Sequence, residues 1–185
     1  MEYNTAEKQI VSEISQALQQ IDPAQIDILT GLIEKADKVF FVGVGRVLLS
    51  LQAIAKRLAH LGVNTVVVGQ ITEPAITEND LLIVGSGSGE TLFPLGIARK
   101  AKMFNATVVH IGANPDSSMK EVRDHFVRIP VTSKLRLPDE IISQQPMTSL
   151  FEQSLLLLGD IIALMMVDKR QLDIHTLWQF HANLE

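Results

Sequence analysis

Short apolar runs alternate along this chain with stretches in which apolar residues recur every three or four positions. The runs are typical of strands buried on both faces of a parallel sheet, and the wider spacing is typical of amphipathic helices. Strands are predicted at 38–44, 64–68, 81–85, 106–111 and 126–129. Helices are predicted at 5–20, 23–35, 47–60, 91–102, 117–122 and 147–167. Because strands and helices alternate, we expect parallel strands joined by right-handed crossovers.

The expected fold class is α/β: a three-layer sandwich in which helices flank a five-stranded parallel sheet with the flavodoxin-like strand order 2-1-3-4-5. The 185 residues fit a single domain. Its parts are an N-terminal helical pair (1–38), the α/β core (39–131) and C-terminal helices (147–185). The connection at 132–145 has no sustained periodicity, and its length suits either a lid or a passive connector.

The expected strand order has a consequence for ligand binding. In open α/β sheets, ligands bind beyond the carboxyl ends of the strands, where the order of connection reverses. Here that place lies between the first and third strands. The turns 43–46 and 86–91 follow those two strands, so we expect them to converge on one crevice.

The turn after the third strand reads Gly85-Ser-Gly-Ser-Gly-Glu-Thr91 and leads into a predicted helix. Such a turn aims backbone N–H groups and the positive end of the helix dipole at an anion, and its hydroxyl groups add uncharged donors. It lacks the Lys of a P-loop and the third glycine of a dinucleotide fingerprint. We therefore interpret it as a cradle for a small phosphorylated molecule. The alternative is a turn that only joins strand to helix.

Two charged residues are candidates beside this turn. Arg46, after the first strand, either adds positive charge to the phosphate site or forms a surface salt bridge. Glu152 lies between Phe151 and a leucine-rich run, where burial would disfavour the charged carboxylate and strengthen it as a proton acceptor. Glu152 is therefore a candidate general base. Alternatively, it lies on a polar stripe with Gln153 and Asp160.

The apolar stretch 147–167 is long enough to span a membrane. Glu152, Gln153 and Asp160 interrupt it, so a buried helix is the better interpretation. That much apolar surface suggests that the helix packs both on its own sheet and against another subunit.

Composition and charge argue against several classes of function. A net charge of −5 and a pI of 5.5 argue against nucleic acid as a partner, while allowing one phosphate held locally. The chain has no Cys, so it has no disulfide and no Cys-ligated metal. Its five His residues include no pair four residues apart, and we expect no metal site. The N-terminal sequence lacks the features of a secretion signal, so we expect a cytoplasmic protein without membrane partners.

The turn from Gly85 to Thr91, following an apolar strand, resembles that of the sugar isomerase (SIS) domain family. Within that family, the chain is similar to the 6-phospho-3-hexuloisomerases from about residue 5 to its end. The similarity is carried by Gln145-Pro-Met-Thr-Ser-Leu-Phe-Glu-Gln153 and His181-Ala-Asn-Leu-Glu185. The resemblance implies interconversion of D-arabino-hex-3-ulose 6-phosphate and D-fructose 6-phosphate through an enediol, without a cofactor and usually in a homotetramer. It also implies a place in the ribulose monophosphate pathway of formaldehyde fixation.

The resemblance further implies roles for individual residues. The proton acceptor is Glu152. His181 is a candidate for ring opening or proton shuttling, in its own site or in that of a neighbouring subunit. The positions implied to bind substrate and its phosphate are Gly45, Arg46, Val47, Ser86, Gly87, Ser88, Gly89, Glu90 and Thr91.

The first loop departs from the family pattern Gly-x-Gly-Arg-Ser-Gly. It reads Gly43-Val-Gly-Arg-Val-Leu48, so Val47 removes a hydroxyl group and Leu48 adds bulk. Loss of one hydrogen-bond donor costs on the order of 1 kcal/mol. Two alternatives stay open at this point: another phosphosugar aldose–ketose isomerase, or a non-catalytic module that binds sugar phosphates.

Overall fold

The computed structural model describes residues 1–133 and 137–184. Its helices are α1 (Tyr3–Gln19), α2 (Pro23–Lys35), α3 (Gly45–Ala59), α4 (Leu92–Lys102) and α5 (Ser149–Lys169). Its strands are β1 (Val39–Val42), β2 (Thr65–Val67), β3 (Leu81–Gly85), β4 (Thr107–Gly112) and β5 (His125–Arg128). Two short 3-10 turns lie at Ser118–Glu121 and Thr176–Phe180.

The five strands are parallel and lie in the order β2-β1-β3-β4-β5, which confirms the predicted flavodoxin-like topology. Successive side chains of a strand point to opposite faces of the sheet. Phe41 and Ile83 accordingly pack in the core shared with α1, α2, α3 and α5, whereas Phe40 and Leu82 pack in the core shared with α4. Helices thus cover both faces, as the three-layer prediction requires.

Local signals explain where two helices begin. Asp22 accepts a hydrogen bond from the Ala24 amide at 2.9 Å, and Pro23 takes the first helical position, so α2 begins where predicted. α3 begins at Gly45 instead of Val47, and Gly45 itself has a φ of 58°, a turn conformation that glycine tolerates. This earlier start places Arg46 and Val47 in the first turn of α3.

Two predicted helical segments are, in whole or in part, of the 3-10 type instead of α-helical. The C-terminal helices predicted over 147–185 are one α-helix, α5, followed by the 3-10 turn Thr176–Phe180. The helix predicted at 117–122 is the 3-10 turn Ser118–Glu121. Segments this short close too few hydrogen bonds to offset the cost of starting an α-helix.

α5 is long and apolar enough to span a membrane by length and composition, but more than half of its apolar stretch is buried inside the fold. It packs against α3, α1 and α2. Leu157, Ile161 and Leu164 remain exposed along its outer side. α5 is therefore a core helix with one apolar side uncovered in the single chain.

The connection between β5 and α5 is tied to the fold on both sides of its centre. The Ile141 amide donates to the Pro130 carbonyl at 2.8 Å, and the Thr132 amide donates to the Ile141 carbonyl at 2.9 Å. Residues 134–136, which fall within the predicted lid or connector, lie outside the described residues. A lid function for this connection stays a prediction.

Glu13 anchors the end of this connection from α1, although it is a carboxylate with only 3% of its surface exposed. It accepts hydrogen bonds from Ser143 Oγ at 2.6 Å, the Gln144 amide at 2.9 Å and Gln145 Nε2 at 3.0 Å. Gln9 Nε2 donates to it from the preceding turn at 2.7 Å. Burial alone would raise the pKa of Glu13, but these donors together lower it from 4.5 to about 2.

We predict that Glu13→Gln lowers the free energy of unfolding by about 2 kcal/mol at pH 7, because hydrogen bonds to a charged acceptor are lost. The pKa of Glu13 is lower in the folded state, so its stabilisation is complete above pH 4.5 and is lost as the pH falls towards 2. At pH 3.5 the difference in the free energy of unfolding between variant and wild type should therefore be about 1.4 kcal/mol smaller than at pH 7. Urea unfolding at both pH values measures this.

Glu7→Gln is the matched control, because Glu7 lies on the same helix with an exposed side chain. It should change the free energy of unfolding by less than about 0.5 kcal/mol at either pH. If Glu13→Gln and Glu7→Gln had the same free energy of unfolding at pH 7, this would contradict an anchoring role for Glu13.

Candidate active site

The turns that follow β1 and β3 line a single cavity of about 340 Å³ at the carboxyl edge of the sheet. It lies where the chain leaves two neighbouring strands towards opposite faces of the sheet, into α3 and α4. Thr148, Phe151 and Glu152 close the cavity from the side of α5. Its volume is within the usual range for small-molecule sites.

The turn after β3 is shaped by its own hydrogen bonds. Ser86 Oγ accepts a hydrogen bond from the Gly89 amide at 3.1 Å and lies 3.1 Å from Thr91 Oγ1. Gly89 has a φ of 69°, and a side chain at this position would collide with Ser117. Ser86 and Gly89 therefore set the shape of the turn.

The cavity is rich in uncharged hydrogen-bond donors. Gly87, Ser88 and Thr91 all line the cavity. Within residues 1–133 and 137–184, their backbone amides donate to no hydrogen-bond acceptor. Residues 45–47 line the cavity too, and the first-turn amides of a helix have no acceptor within it. No described side chain caps the N-terminus of α3 or α4. This arrangement of amides and helix N-termini suits a phosphate group.

Glu152 lies on the wall of the same cavity with 7% of its surface exposed. Its two carboxylate oxygens have different partners: Arg46 Nε donates to Oε2, and Thr148 Oγ1 donates to Oε1 at 2.8 Å. Ser50 Oγ donates to the Glu152 backbone carbonyl at 2.9 Å and so connects α3 to α5. The carboxylate is therefore held in a defined orientation at the edge of the cavity.

These contacts bear on two alternatives that the sequence left open. Arg46 forms a salt bridge, as one interpretation expected, but its partner is the candidate base Glu152 and not a surface acid. Asp160, two helical turns further along α5, is exposed and pairs with Arg57 at 3.4 Å. Glu152 and Asp160 thus do not share a solvent-facing stripe.

Two residues predicted to bind substrate contribute in other ways. Glu90 is exposed and points away from the cavity, where its carboxylate accepts a hydrogen bond from the Ser118 amide at 2.7 Å. That backbone hydrogen bond is the main reason that the pKa of Glu90 is lowered. Val47 lines the cavity with an apolar side chain that packs so closely on Gly85 that an added Cβ there would lie 2.8 Å away. Val47 offers a backbone amide and an apolar wall.

His181 is not brought to Glu152 within one chain. It lies beside a second cavity, of about 420 Å³, between the C-terminal segment and the α3 and α5 helices. Its ring is stacked on that of His60 with centroids 5.3 Å apart, and the Trp178 ring lies at the same distance. A catalytic role for His181 at Glu152 would therefore require a neighbouring subunit.

Thr148 and Ser50 contact the candidate base, but neither contact was predicted from the sequence. Thr148 precedes Glu152 by one helical turn, and a hydroxyl residue at the N-cap of a helix with an acid at i+4 is a usable signal. Ser50 reaches the Glu152 carbonyl across 102 positions of sequence, a contact that no local pattern predicts.

Comparison with known proteins adds independent information. Residues 32–160 match the family model of the SIS domain. A protein of Bacillus subtilis named 3-hexulose-6-phosphate isomerase is 38% identical over 177 residues, which cover 96% of each chain. A protein of the same name from Mycobacterium gastri is 36% identical over 94% of this chain and 86% of its own.

A solved structure has the same architecture over nearly the whole chain. It is a hypothetical protein of Methanococcus jannaschii whose crystal structure was described as inferring a 3-hexulose-6-phosphate isomerase function. Its TM-score with this chain is 0.83 at 30% sequence identity, and the match covers 98% of this chain and 99% of the other.

We predict that Ser88→Ala weakens the binding of inorganic phosphate roughly tenfold, because it removes a hydroxyl group at the cavity wall and hydrogen bonds to a charged group contribute about 1.5–3 kcal/mol. Glu90→Gln is the matched control from the same turn, and it should leave the dissociation constant within about twofold, since Glu90 faces Ser118. Isothermal titration calorimetry measures both. The reverse ranking of the two variants would show that phosphate binds on the outer side of the turn.

Proposed function

This chain belongs to the SIS domain family, and we propose that it is a ketose isomerase that interconverts D-arabino-hex-3-ulose 6-phosphate and D-fructose 6-phosphate. 3-Hexulose-6-phosphate isomerase, the name carried by its relatives, is another name for 6-phospho-3-hexuloisomerase. The proposal places the protein in sugar phosphate metabolism and, more specifically, in the ribulose monophosphate pathway.

One observation carries the proposal: the Glu152 carboxylate and the donor-rich turn after β3 line the same cavity. The turn suits the phosphate end of a substrate, and a carboxylate suits proton transfer at carbon. Thr148 and Arg46 hold the carboxylate from two directions, so that it meets a bound sugar in one orientation. A site that holds both ends of the substrate lowers the entropic cost of the reaction.

The proposed chemistry moves a carbonyl group from C3 to C2. Glu152 takes the proton from C2, and the electron pair of that C–H bond forms the C2–C3 double bond of an enediolate. The protonated Glu152 then returns the proton to C3, while the hydroxyl proton of O2 is transferred to O3. Hydrogen is redistributed within one molecule, so the reaction has no net oxidation. The Arg46 guanidinium supplies positive charge beside the enediolate oxygens.

A second candidate within the same chemistry is favoured by the first loop. The family pattern has a serine where this chain has Val47. Val47 packs closely on Gly85, so this part of the cavity wall is apolar instead of hydroxyl-bearing. This change would suit a different phosphosugar as the substrate of an aldose–ketose isomerase. Turnover measured with a panel of five- and six-carbon sugar phosphates separates the two candidates. A module that binds sugar phosphates without catalysis would give binding and no turnover with any of them.

We also propose a cytoplasmic homotetramer that buries the uncovered side of α5. Leu157, Ile161 and Leu164 on α5, together with Trp178 near the C-terminus, form apolar surface that the single chain leaves exposed. Burying such surface favours association. Assembly through this side would also bring His181 close to another subunit, which supports a site shared between subunits.

We predict that Glu152→Gln retains the fold but lowers kcat by roughly 10²-fold or more, the usual scale for loss of a general base. A coupled assay that detects fructose 6-phosphate formed from the 3-hexulose phosphate measures the rate. Asp160→Asn is the matched control, because Asp160 is an exposed acid on the same helix. Turnover by Glu152→Gln at the rate of Asp160→Asn would exclude Glu152 as the base.

A mixing experiment tests the shared site. If Glu152 of one subunit works with His181 of another, then Glu152→Gln and His181→Ala, each of low activity alone, should regain part of the wild-type rate after they are dissociated and reassembled together. His181→Ala mixed with the double variant should regain nothing, because every site then lacks His181. No recovery in the first mixture, or a monomer by light scattering, would rule out the shared site.

A further inference from the structure

His110 is a fully buried histidine that lies directly beneath the turn after β3 and has no part in the proposed proton transfer. It belongs to β4, and its ring lies beside that of Phe126 with centroids 5.1 Å apart. Gly89 and Gly112 leave room for it, because a side chain at either position would run into the imidazole. The ring is therefore held in one place between the turn and the neighbouring strand.

The partners of the imidazole determine its tautomer. Nε2 lies 2.8 Å from the Ser86 carbonyl oxygen, which can only accept a hydrogen bond, so Nε2 carries the proton. Nδ1 faces Arg123 Nη1 at 3.4 Å, and a guanidinium can only donate, so Nδ1 is unprotonated. Arg123 is itself held by the Pro115 carbonyl at 2.7 Å and by stacking on Phe126. His110 is thus a neutral donor with both ring nitrogens satisfied.

The bond to Ser86 has a consequence on the other side of the peptide. In a planar trans peptide, the C=O of one residue and the N–H of the next point in opposite directions. The Ser86 carbonyl points down to His110, where it also accepts from the Gly89 amide at 3.2 Å. The Gly87 N–H of the same peptide then points away from His110, and Gly87 itself lines the cavity.

We propose that His110 is a positioning residue for the phosphate cradle: its Nε2–H holds the Ser86–Gly87 peptide so that the Gly87 amide points at the phosphate group of the substrate. This inference rests on the proposed function, in which the substrate carries a phosphate. Burial, followed by the charge of Arg123, opposes protonation of the ring and lowers the pKa of His110 from 6.5 to about 4. The ring is therefore neutral at neutral pH, and its single proton is the one on Nε2 that bonds Ser86.

The first experiment compares three variants. His110→Leu removes the donor, whereas His110→Gln places an amide N–H close to the position of Nε2. His125→Leu is the matched control, because His125 Nε2 bonds a backbone carbonyl, that of Gln25, at the same distance of 2.8 Å but far from the cavity. Binding of inorganic phosphate and fructose 6-phosphate is measured by calorimetry, and kcat and KM by the coupled assay.

His110→Leu should weaken the binding of both probes and raise KM about tenfold while kcat changes less than about threefold, since one hydrogen bond to a charged group is misdirected. His110→Gln should restore most of the affinity, and His125→Leu should match the wild type. Wild-type phosphate affinity in His110→Leu, or equal losses in His110→Leu and His125→Leu, would overturn the proposal.

A second measurement uses the wild-type protein and does not depend on whether a variant folds. Nitrogen-15 NMR should show the tautomer of His110 with the proton on Nε2 and a shift of the Gly87 amide signal when inorganic phosphate is added. The opposite tautomer, or a Gly87 amide indifferent to saturating phosphate, would overturn the proposal. If phosphate shifts the Gly87 amide signal but the protein does not turn over hexulose phosphate, the proposed function is refuted and the role of His110 remains supported.

Discussion

The candidate site depends on one geometric constraint: β1 and β3 are neighbours, yet the chain leaves them towards opposite faces of the sheet. Neither crossover covers the carboxyl ends of these strands, so a crevice remains there. Val42 lies beside Val84 at the last pair of the ladder, and this register brings the two following turns side by side. The N-termini of α3 and α4 meet the same crevice, and a chain of net charge −5 can therefore still offer a site for an anion.

Charge is distributed unevenly within this crevice. Backbone amides and hydroxyl groups serve the end that suits phosphate, whereas Arg46 and Glu152 pair with each other at the side of α5. The pairing lets a carboxylate share a small cavity with a bound anion, because the guanidinium offsets part of the repulsion between them. Thr148 and Ser50 add hydrogen bonds to the carboxylate and to the α5 backbone, so the position of the acid relative to the turn depends on helix packing.

The fold was largely predictable from the sequence, because its signals are local. Continuous apolar runs mark the strands, and Asp22-Pro23 marks the start of α2. The site was predictable only in part. Glu90 is only two residues from Ser88 in sequence, but the turn directs the two side chains to different sides, which motif spacing does not reveal. Three of the four donors to Glu13 lie 130 to 132 residues away, and no periodic pattern encodes a contact of that range.

The crevice is supported from outside by buried polar residues: His110 holds the turn after β3, and Glu13 holds the segment that leads into α5. Because the donors at the phosphate end are mainly backbone amides, they do not depend on the side chains at positions 47 and 48. The side chain at position 47 instead shapes the cavity wall, where Val47 packs against Gly85. Substitution in the first loop should therefore alter which sugar fits, whereas loss of a buried support should weaken the binding of every phosphorylated ligand alike.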